Sequence, residues 1–198
     1  ITPDGNRLQG MDAFVYWCEL NHLPLKKTIK EYEKTFAKYA LYQKRGLING
    51  NYKFRQTFAD VFVNQVYYLD FYAIERFGKT KLGWLLLYAK QSQSKPMISE
   101  LVQIAREPIN GIIHRHQIQA VAFIPPTVKR EVQLMHEIEK KLVLNLPVID
   151  LKKIKTDLIV PQKTLSKLPE RVINARTTIQ PHEKRSFGNV LLIDDAVG

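Results

Sequence analysis

The sequence contains only one cysteine, Cys18, among 198 residues. A single cysteine excludes an intramolecular disulfide framework and any zinc site built from several cysteines. Because disulfides mark oxidising compartments, we expect a cytoplasmic protein. Long apolar runs are also lacking: residues 82–88 fall far short of the roughly 20 residues that a membrane-spanning helix needs. The start, Ile1–Gly5, does not show the basic and then apolar stretch of a secretory signal.

Acidic residues are scarce relative to basic ones, 19 against 30, and the net charge is +11. This balance favours polyanionic partners such as nucleic acid or phosphorylated ligands. The excess is concentrated in residues 26–55, which carry nine basic and two acidic residues. The candidates for contact with single-stranded DNA or another nucleic acid are Lys26, Lys27, Lys30, Lys34, Lys38, Lys44 and Arg45. An ordinary solvated basic face is the alternative that charge alone leaves open.

Residues 1–65 are predicted to form a mainly helical, basic region. One helix is expected over residues 11–21, and a second is expected to start at Thr28, which has Glu31 three residues later in a capping-box pattern. Gly46 is a candidate for the end of the second helix. The aromatic stretch 52–72 could stack single-stranded bases, but its spacing favours a place in the core.

Residues 66–198 are predicted to form an α/β domain with a parallel sheet flanked by helices. The expected elements are helices over 82–90, 97–106 and 130–144, strands over 119–124, 147–151 and 190–193, and a polar loop over 152–169. Alternation of strands and helices is typical of parallel sheets covered on both faces. Ligands of such sheets bind at the carboxyl ends of the strands.

An acidic pair, Asp194–Asp195, directly follows the apolar run Val190–Ile193. We expect this run to be a buried strand, so the two acids must emerge at its end, because unpaired carboxylates are costly to bury. Two adjacent carboxylates can accept hydrogen bonds from the vicinal hydroxyls of a ribose, and they can help to hold Mg²⁺. A strand that simply stops in a turn is the alternative.

Three segments in order resemble the ComF family, phosphoribosyltransferase-like proteins linked to bacterial competence. The first is a strand ending in a proline loop, residues 122–126, with Lys129 and Arg130 after it. The second has Gln and Leu and then Arg and Asn, at residues 162–165 and 171–174. The third is the apolar strand with its acidic pair. The resemblance covers about residues 80–198 and leaves residues 1–65 without an assigned family.

The resemblance implies a type I phosphoribosyltransferase-like fold that binds 5-phosphoribosyl 1-diphosphate (PRPP) with Mg²⁺. Asp194 and Asp195 would be the catalytic pair, contacting the ribose and holding Mg²⁺ through PRPP. The other PRPP-binding residues would be Pro126, Thr127, Lys129, Arg130, Ala196, Val197 and Gly198. Arg130 suits the diphosphate because its planar fork matches phosphate oxygens, although a solvated first helical turn is the alternative for Lys129 and Arg130.

A lid over the ligand is a further expectation, because catalytic lids are typically polar and mobile. Its residues would be Lys163, Lys167 and Arg171, which could equally be surface charges. The chain departs from the family in lacking the four-cysteine zinc ribbon, so zinc is not expected. Residues 130–133 also replace the family's Arg-Gly-Phe-Asn-like stretch. Because the family's phosphate loop follows the acidic pair, we expect the sequence to be cut inside that loop.

Two functions stay open at the level of sequence. The first is a phosphoribosyltransferase, a glycosyltransferase of nucleotide metabolism, which holds PRPP and positions a nitrogen nucleophile. The second is a non-catalytic, PRPP-responsive protein that binds nucleic acid during DNA uptake or processing. A Mg²⁺-dependent phosphohydrolase is disfavoured because the sequence shows no additional acid cluster for a second metal ligand.

Overall fold

The computed structural model describes residues 3–6, 8–44, 46–126, 128, 130–154 and 168–196. The chain divides into two compact units. The first comprises residues 1–68 and 74–78, and the second comprises residues 69–73 and 79–198. The segment 74–78 thus belongs to the first unit, although residues 69–73 before it belong to the second.

The first unit combines helices with a small antiparallel sheet. Its elements in chain order are α1 (Gly10–Leu20), α2 (Leu25–Ala40), β1 (Gln43–Lys44), β2 (Leu47–Asn49), α3 (Asn51–Thr57), β3 (Tyr67–Tyr68) and a 3-10 turn (Glu75–Phe77). The central strand β2 pairs with both β1 and β3, and all of these pairings are antiparallel. Leu47 and Ile48 of β2 are buried, so this strand contributes directly to the core of the unit.

Aromatic rings hold α1, α2 and the 3-10 turn together. Tyr32 is the common partner, with its ring centroid 5.3 Å from that of Phe14, 4.2 Å from Phe36 and 5.1 Å from Phe77. Trp17 lies 6.0 Å from Phe77 by the same measure. Each such pair contributes about 0.5–1.5 kcal/mol beyond the burial of its area. The helical spacing of these residues thus produces a partly buried aromatic cluster.

Three predictions for this unit were wrong. Gly46 does not end the second helix, because α2 already ends at Ala40. The helix α2 begins at Leu25 rather than Thr28, because the extended backbone of Pro24 already provides its N-cap. The buried Thr28 hydroxyl donates instead to the Pro24 carbonyl oxygen at 3.0 Å. The aromatic stretch 52–72 is only partly core: Tyr52 is 75% exposed and Phe62 is 85% exposed.

The second unit is α/β and contains a parallel three-stranded sheet in the order β5–β4–β8. Its elements are α4 (Lys81–Ser92), α5 (Lys95–Arg115), β4 (Ala120–Phe123), α6 (Leu134–Leu142), β5 (Val148–Ile149), β6 (Leu151–Lys153), α7 (Leu168–Thr178), β7 (Ile179–Pro181) and β8 (Val190–Ile193). All four residues of β4 are buried, and β4 is the central strand of this sheet. The core forms where β4 meets α4, α5 and α6.

The strand β8 has the predicted boundaries but not the predicted burial. Leu191 and Ile193 pack against the core, whereas Val190 is 44% exposed and Leu192 is 49% exposed. The expectation of a strand buried along its whole length was therefore wrong. Successive side chains of a strand point to opposite faces, and the core cluster covers only one face of β8.

The helix α5 extends well beyond the predicted range of 97–106. Its N-cap is Ser94, and the helix continues past Pro108 to Arg115 because Ile109 and Ile112 are buried at helical spacing.

No helix in the part of the chain that the structure describes combines the length and the apolar character needed to cross a membrane.

Residues 152–169, between β5 and β8, were predicted to form a polar loop. Its first residues form β6, which pairs antiparallel with β7 to make a two-stranded ribbon, and α7 leads directly into β7. The predicted loop is thus partly a strand. Residues 155–167 lie outside the described part of the chain.

We expect Gly83→Ala to destabilise the second unit by about 1–3 kcal/mol in chemical denaturation. Gly83 is buried in α4, and an added Cβ atom would lie 2.0 Å from the backbone carbonyl oxygen of Tyr72. Backbone cannot give way as a flexible side chain can, so the helix must shift.

Gly111→Ala in α5 is the matched control. An added Cβ there meets no heavy atom of the described residues within 4 Å, apart from the backbone of its own helix. Because alanine favours helix, this change should stabilise the protein by about 0.5–1 kcal/mol. Equal effects of the two substitutions would contradict the close approach of α4 to Tyr72.

Candidate functional site

Three strand ends meet at one edge of the parallel sheet. The register pairs Phe123 of β4 with Ile193 of β8, and the Ile124 N–H donates to the Ile193 carbonyl oxygen at 2.9 Å. The Pro125–Pro126 loop and Asp194 therefore follow neighbouring strands at the same level. In the order β5–β4–β8, the chain passes from β4 to β5 on one side of β4 and later forms β8 on the other side of β4. The carboxyl ends of β4 and β8 therefore flank a topological switch point. Open parallel sheets bind their ligands at such points.

The two aspartates have different surroundings. The Asp195 backbone N–H donates to Asp194 Oδ1 at 2.8 Å, which fixes the carboxylate of Asp194 beside the turn. Asp194 as a residue is exposed, whereas the Asp195 side chain is only 14% exposed. The Asp195 Oδ2 atom accepts a hydrogen bond from Lys90 Nζ, and the two groups form an ion pair.

The pKa of Asp194 is raised to about 6, mainly by desolvation and to a smaller extent by the neighbouring Asp195 charge. The hydrogen bond from the Asp195 backbone and the charge of Lys90 act in the opposite direction. The Asp194 carboxyl group is thus partly desolvated, although the residue as a whole is exposed. The pair thus contains one carboxylate that an ammonium group neutralises and one that is costly to ionise.

Lys90 was not among the residues predicted for this site. It lies in the last turn of α4, where a lysine is common because it favours the negative end of the helix dipole. Its contact with Asp195 joins residues 105 positions apart. No local pattern could have shown it, because only the packing of α4 beside the sheet brings the two together.

Arg130 was predicted to contact the diphosphate. In the structure its Nη1 atom donates to the backbone carbonyl oxygen of Lys90, one of the last carbonyls of α4. Nearby, the Val132 N–H donates to Gln93 Oε1 at 2.7 Å. The predicted helix over 130–144 begins only at Leu134, so these residues form a linker between the proline loop and α6.

The remaining predicted PRPP and lid residues are spread along the chain. Pro126 is exposed at the end of the loop after β4, and Ala196 is exposed directly after the acidic pair. Arg171 lies on the exposed surface of α7. The others lie outside the described residues: Thr127, Lys129, Lys163, Lys167, Val197 and Gly198.

A pocket of about 390 Å³ opens at the carboxyl ends of β4 and β5. Its polar lining includes His136, Glu139 and Asp150, none of which the sequence singled out. His136 Nδ1 lies 3.9 Å from Glu139 Oε2, and Asp150 Oδ2 lies 3.2 Å from Lys152 Nζ. This pocket adjoins the proline loop on the β5 side, whereas the acidic pair lies on the β8 side.

The acidic pair would hold Mg²⁺ only together with a bound ligand that supplies further oxygen atoms. Among the described residues there is no group of three or more His, Cys, Asp or Glu side chains that could hold a metal ion. Mg²⁺ keeps several waters and is often bound through one or two carboxylates together with substrate phosphates. The residues present match that mode, with Asp194 and Asp195 as the protein groups.

The predicted nucleic-acid residues are mostly on α2. Lys26, Lys27, Lys30 and Lys34 are exposed along this helix. Lys38 is also exposed, and its Nζ atom pairs with Glu75 Oε1 at 3.3 Å. The Lys44 side chain and all of Arg45 lie outside the part that the structure describes.

Comparison with known proteins adds no assignment to this geometry. The chain matches no protein-family model, no curated protein and no solved structure. Its function therefore has to be argued from the strand order, the acidic pair and the charges around them.

The raised pKa of Asp194 predicts a pH-dependent effect on stability. A carboxyl group whose pKa rises from 3.8 in the unfolded chain to about 6 in the folded one destabilises the fold as pH increases through that window. We expect Asp194→Asn to melt at a higher temperature than the wild type at pH 7.5 and at the same temperature near pH 4.

Glu100→Gln, which removes an exposed carboxylate on α5, is the control and should gain no stability selectively at the higher pH. Thermal melting of the three proteins across this range is the measurement. An Asp194→Asn protein that is no more stable than the wild type at pH 7.5 would show that the carboxylate is not desolvated.

Proposed function

We propose that this protein is a ComF-like member of the type I phosphoribosyltransferase fold that binds PRPP with Mg²⁺ between β4 and β8. The observation that carries the proposal is the acidic pair at the switch point of a parallel sheet. Adjacent carboxylates suit the vicinal hydroxyls of a ribose, and a strand end at a switch point is where such a ligand binds. The three sequence segments that resemble the ComF family support the same ligand.

Each part of PRPP has chemically matching residues at this edge. The carboxylates of Asp194 and Asp195 would accept hydrogen bonds from the ribose hydroxyls. The diphosphate would lie near the loop after Pro126, where backbone N–H groups would favour an anion. The 5′-phosphate would bind the segment that follows the acidic pair.

The reaction would be transfer of the phosphoribosyl group to a nitrogen nucleophile. The bond between the anomeric carbon and the diphosphate oxygen breaks, the bond to the acceptor nitrogen forms, and that nitrogen loses a proton. Such chemistry needs positioning and charge stabilisation rather than a covalent intermediate with the protein. Mg²⁺ bound with PRPP would offset the negative charge that develops on the leaving diphosphate.

A second candidate is a PRPP-responsive protein that binds nucleic acid without turnover. The exposed lysines of α2 favour it, because four of them lie on this one helix of the first unit. A phosphate backbone is the partner that a row of mobile cations matches without sequence-specific contacts. In this version, PRPP bound by the second unit would serve as a signal rather than a substrate.

The first experiment is calorimetric titration of PRPP and Mg²⁺ into the full natural chain. We expect saturable binding that the Asp194→Ala/Asp195→Ala double variant loses, because both acceptors for the ribose hydroxyls are removed. Glu183→Ala is a matched control, since Glu183 is a carboxylate of the same unit that pairs with Arg185 instead. Release of diphosphate with an added nitrogen base would then distinguish transfer from sensing.

Absence of PRPP binding by the wild-type chain would refute the ligand assignment. Equal loss of binding in the Glu183→Ala control would point to general damage to the unit rather than to a site at the acidic pair.

The nucleic-acid candidate predicts salt-sensitive binding of a single-stranded oligonucleotide. Each phosphate neutralised on a single strand contributes a slope of about −0.7 in log affinity against log salt concentration. Changing all four exposed lysines to glutamine should reduce that slope by up to about 3 and weaken binding at low salt. The four positions are Lys26, Lys27, Lys30 and Lys34.

A control with the same loss of charge in the second unit separates a surface from net charge. Its four substitutions to glutamine are at Lys81, Lys95, Lys140 and Lys184. Fluorescence anisotropy at several salt concentrations measures both slopes. Equal losses in the two quadruple variants would contradict a binding surface on α2.

A further inference from the structure

The end of α4 is where three separate chain segments meet at the candidate site. The Lys90 ammonium group pairs with Asp195 after β8, and the Lys90 carbonyl accepts a hydrogen bond from Arg130. Gln93, just after the helix, accepts a hydrogen bond from the Val132 backbone. These contacts tie the end of α4 to the strand end that carries the acidic pair and to the linker after the proline loop.

The Asp195 carboxylate depends on this arrangement. Its side chain is only 14% exposed, and a largely buried carboxylate is costly unless a charged or hydrogen-bonded partner compensates it. Lys90 provides both, while its own side chain remains 39% exposed. Because the contact uses Oδ2, the Oδ1 atom of the same carboxylate can accept a hydrogen bond from a ligand hydroxyl.

The location of Lys90 also bears on the charge of the ligand. Two adjacent carboxylates would repel a polyanionic sugar diphosphate, since like charges at this range are unfavourable. The Lys90 charge offsets part of that repulsion, and both carboxylates still present acceptor atoms. A lysine placed behind Asp195 therefore reconciles an acidic ribose-binding pair with a ligand that carries several negative charges.

We propose that Lys90 is a positioning residue of the phosphoribosyl site, holding the Asp195 carboxylate in the orientation that accepts the ribose hydroxyl. This inference rests on the proposed function. Lys90 acts through Asp195, and Arg130 supports it by fixing the last turn of α4. The sequence resemblance assigned Arg130 directly to the diphosphate, whereas this assignment gives it a supporting contact with the helix.

The first test compares two substitutions of Lys90 by calorimetry with PRPP and Mg²⁺. Lys90→Met keeps the length of the side chain but removes its charge, and should weaken binding by about tenfold or more, the effect of losing a hydrogen bond to a charged group. Lys90→Arg restores a cation and should recover most of the affinity. Lys81→Met, at the opposite end of the same helix, is the control and should bind like the wild type.

The second test asks whether Lys90 acts through Asp195. In an Asp195→Asn background, the further change Lys90→Met should weaken PRPP binding by less than about twofold, because the group that Lys90 positions has already lost its charge. A tenfold loss in both backgrounds would overturn the proposal in favour of a direct contact between Lys90 and the ligand.

The outcomes separate this inference from the function on which it rests. Wild-type affinity in Lys90→Met would overturn the role of Lys90 while leaving the phosphoribosyl site intact. Wild-type protein that binds no PRPP would overturn both. Thermal melting of each variant identifies loss of folding, and if Lys90→Met fails to fold, failure of a folded Lys90→Arg protein to bind PRPP would still overturn the proposal.

Discussion

The in-register pairing of β4 with β8 is the constraint on which the candidate site depends. Hydrogen bonds along this parallel ladder place Phe123 opposite Ile193, so the residues that follow each strand must be neighbours. The pairing is stable because β4 is buried along its whole length and because Leu191 and Ile193 of β8 pack against the same core. Without this register, the proline loop and the acidic pair would be two unrelated strand ends rather than neighbours at one end of the sheet.

Electrostatics then determines what this edge can bind. Desolvating one carboxylate beside another costs free energy, which the raised pKa of Asp194 reflects: desolvation is the main cause, and the Asp195 charge adds to it. The structure offsets part of that cost with a backbone N–H for Asp194 and an ammonium group for Asp195. The result is a set of hydrogen-bond acceptors with reduced net charge, a combination suited to a polyhydroxyl compound that is itself anionic.

The two units differ in how they are built, and the difference agrees with separate roles. The first unit packs aromatic rings around Tyr32 and carries a row of exposed lysines on α2. The second unit has an aliphatic core in which side chains of α4, α5 and α6 pack against the central strand β4 of a parallel sheet. A chain that carries a basic, largely helical unit and an α/β unit would be able to combine contact with a polyanion and recognition of a small ligand.

The sequence alone determined the strand Val190–Ile193 with its two aspartates, the apolar run that became β4 and the basic character of α2, because these features depend on neighbouring residues. It placed the start of α2 wrongly, since Pro24 and not Thr28 provides the cap, and it predicted burial on both faces of β8. Only the tertiary structure decided the strand order β5–β4–β8 and the pairing of Lys90 with Asp195. Those features join segments far apart in the chain, and the packing of helices against a sheet, rather than any local pattern, brings such segments together.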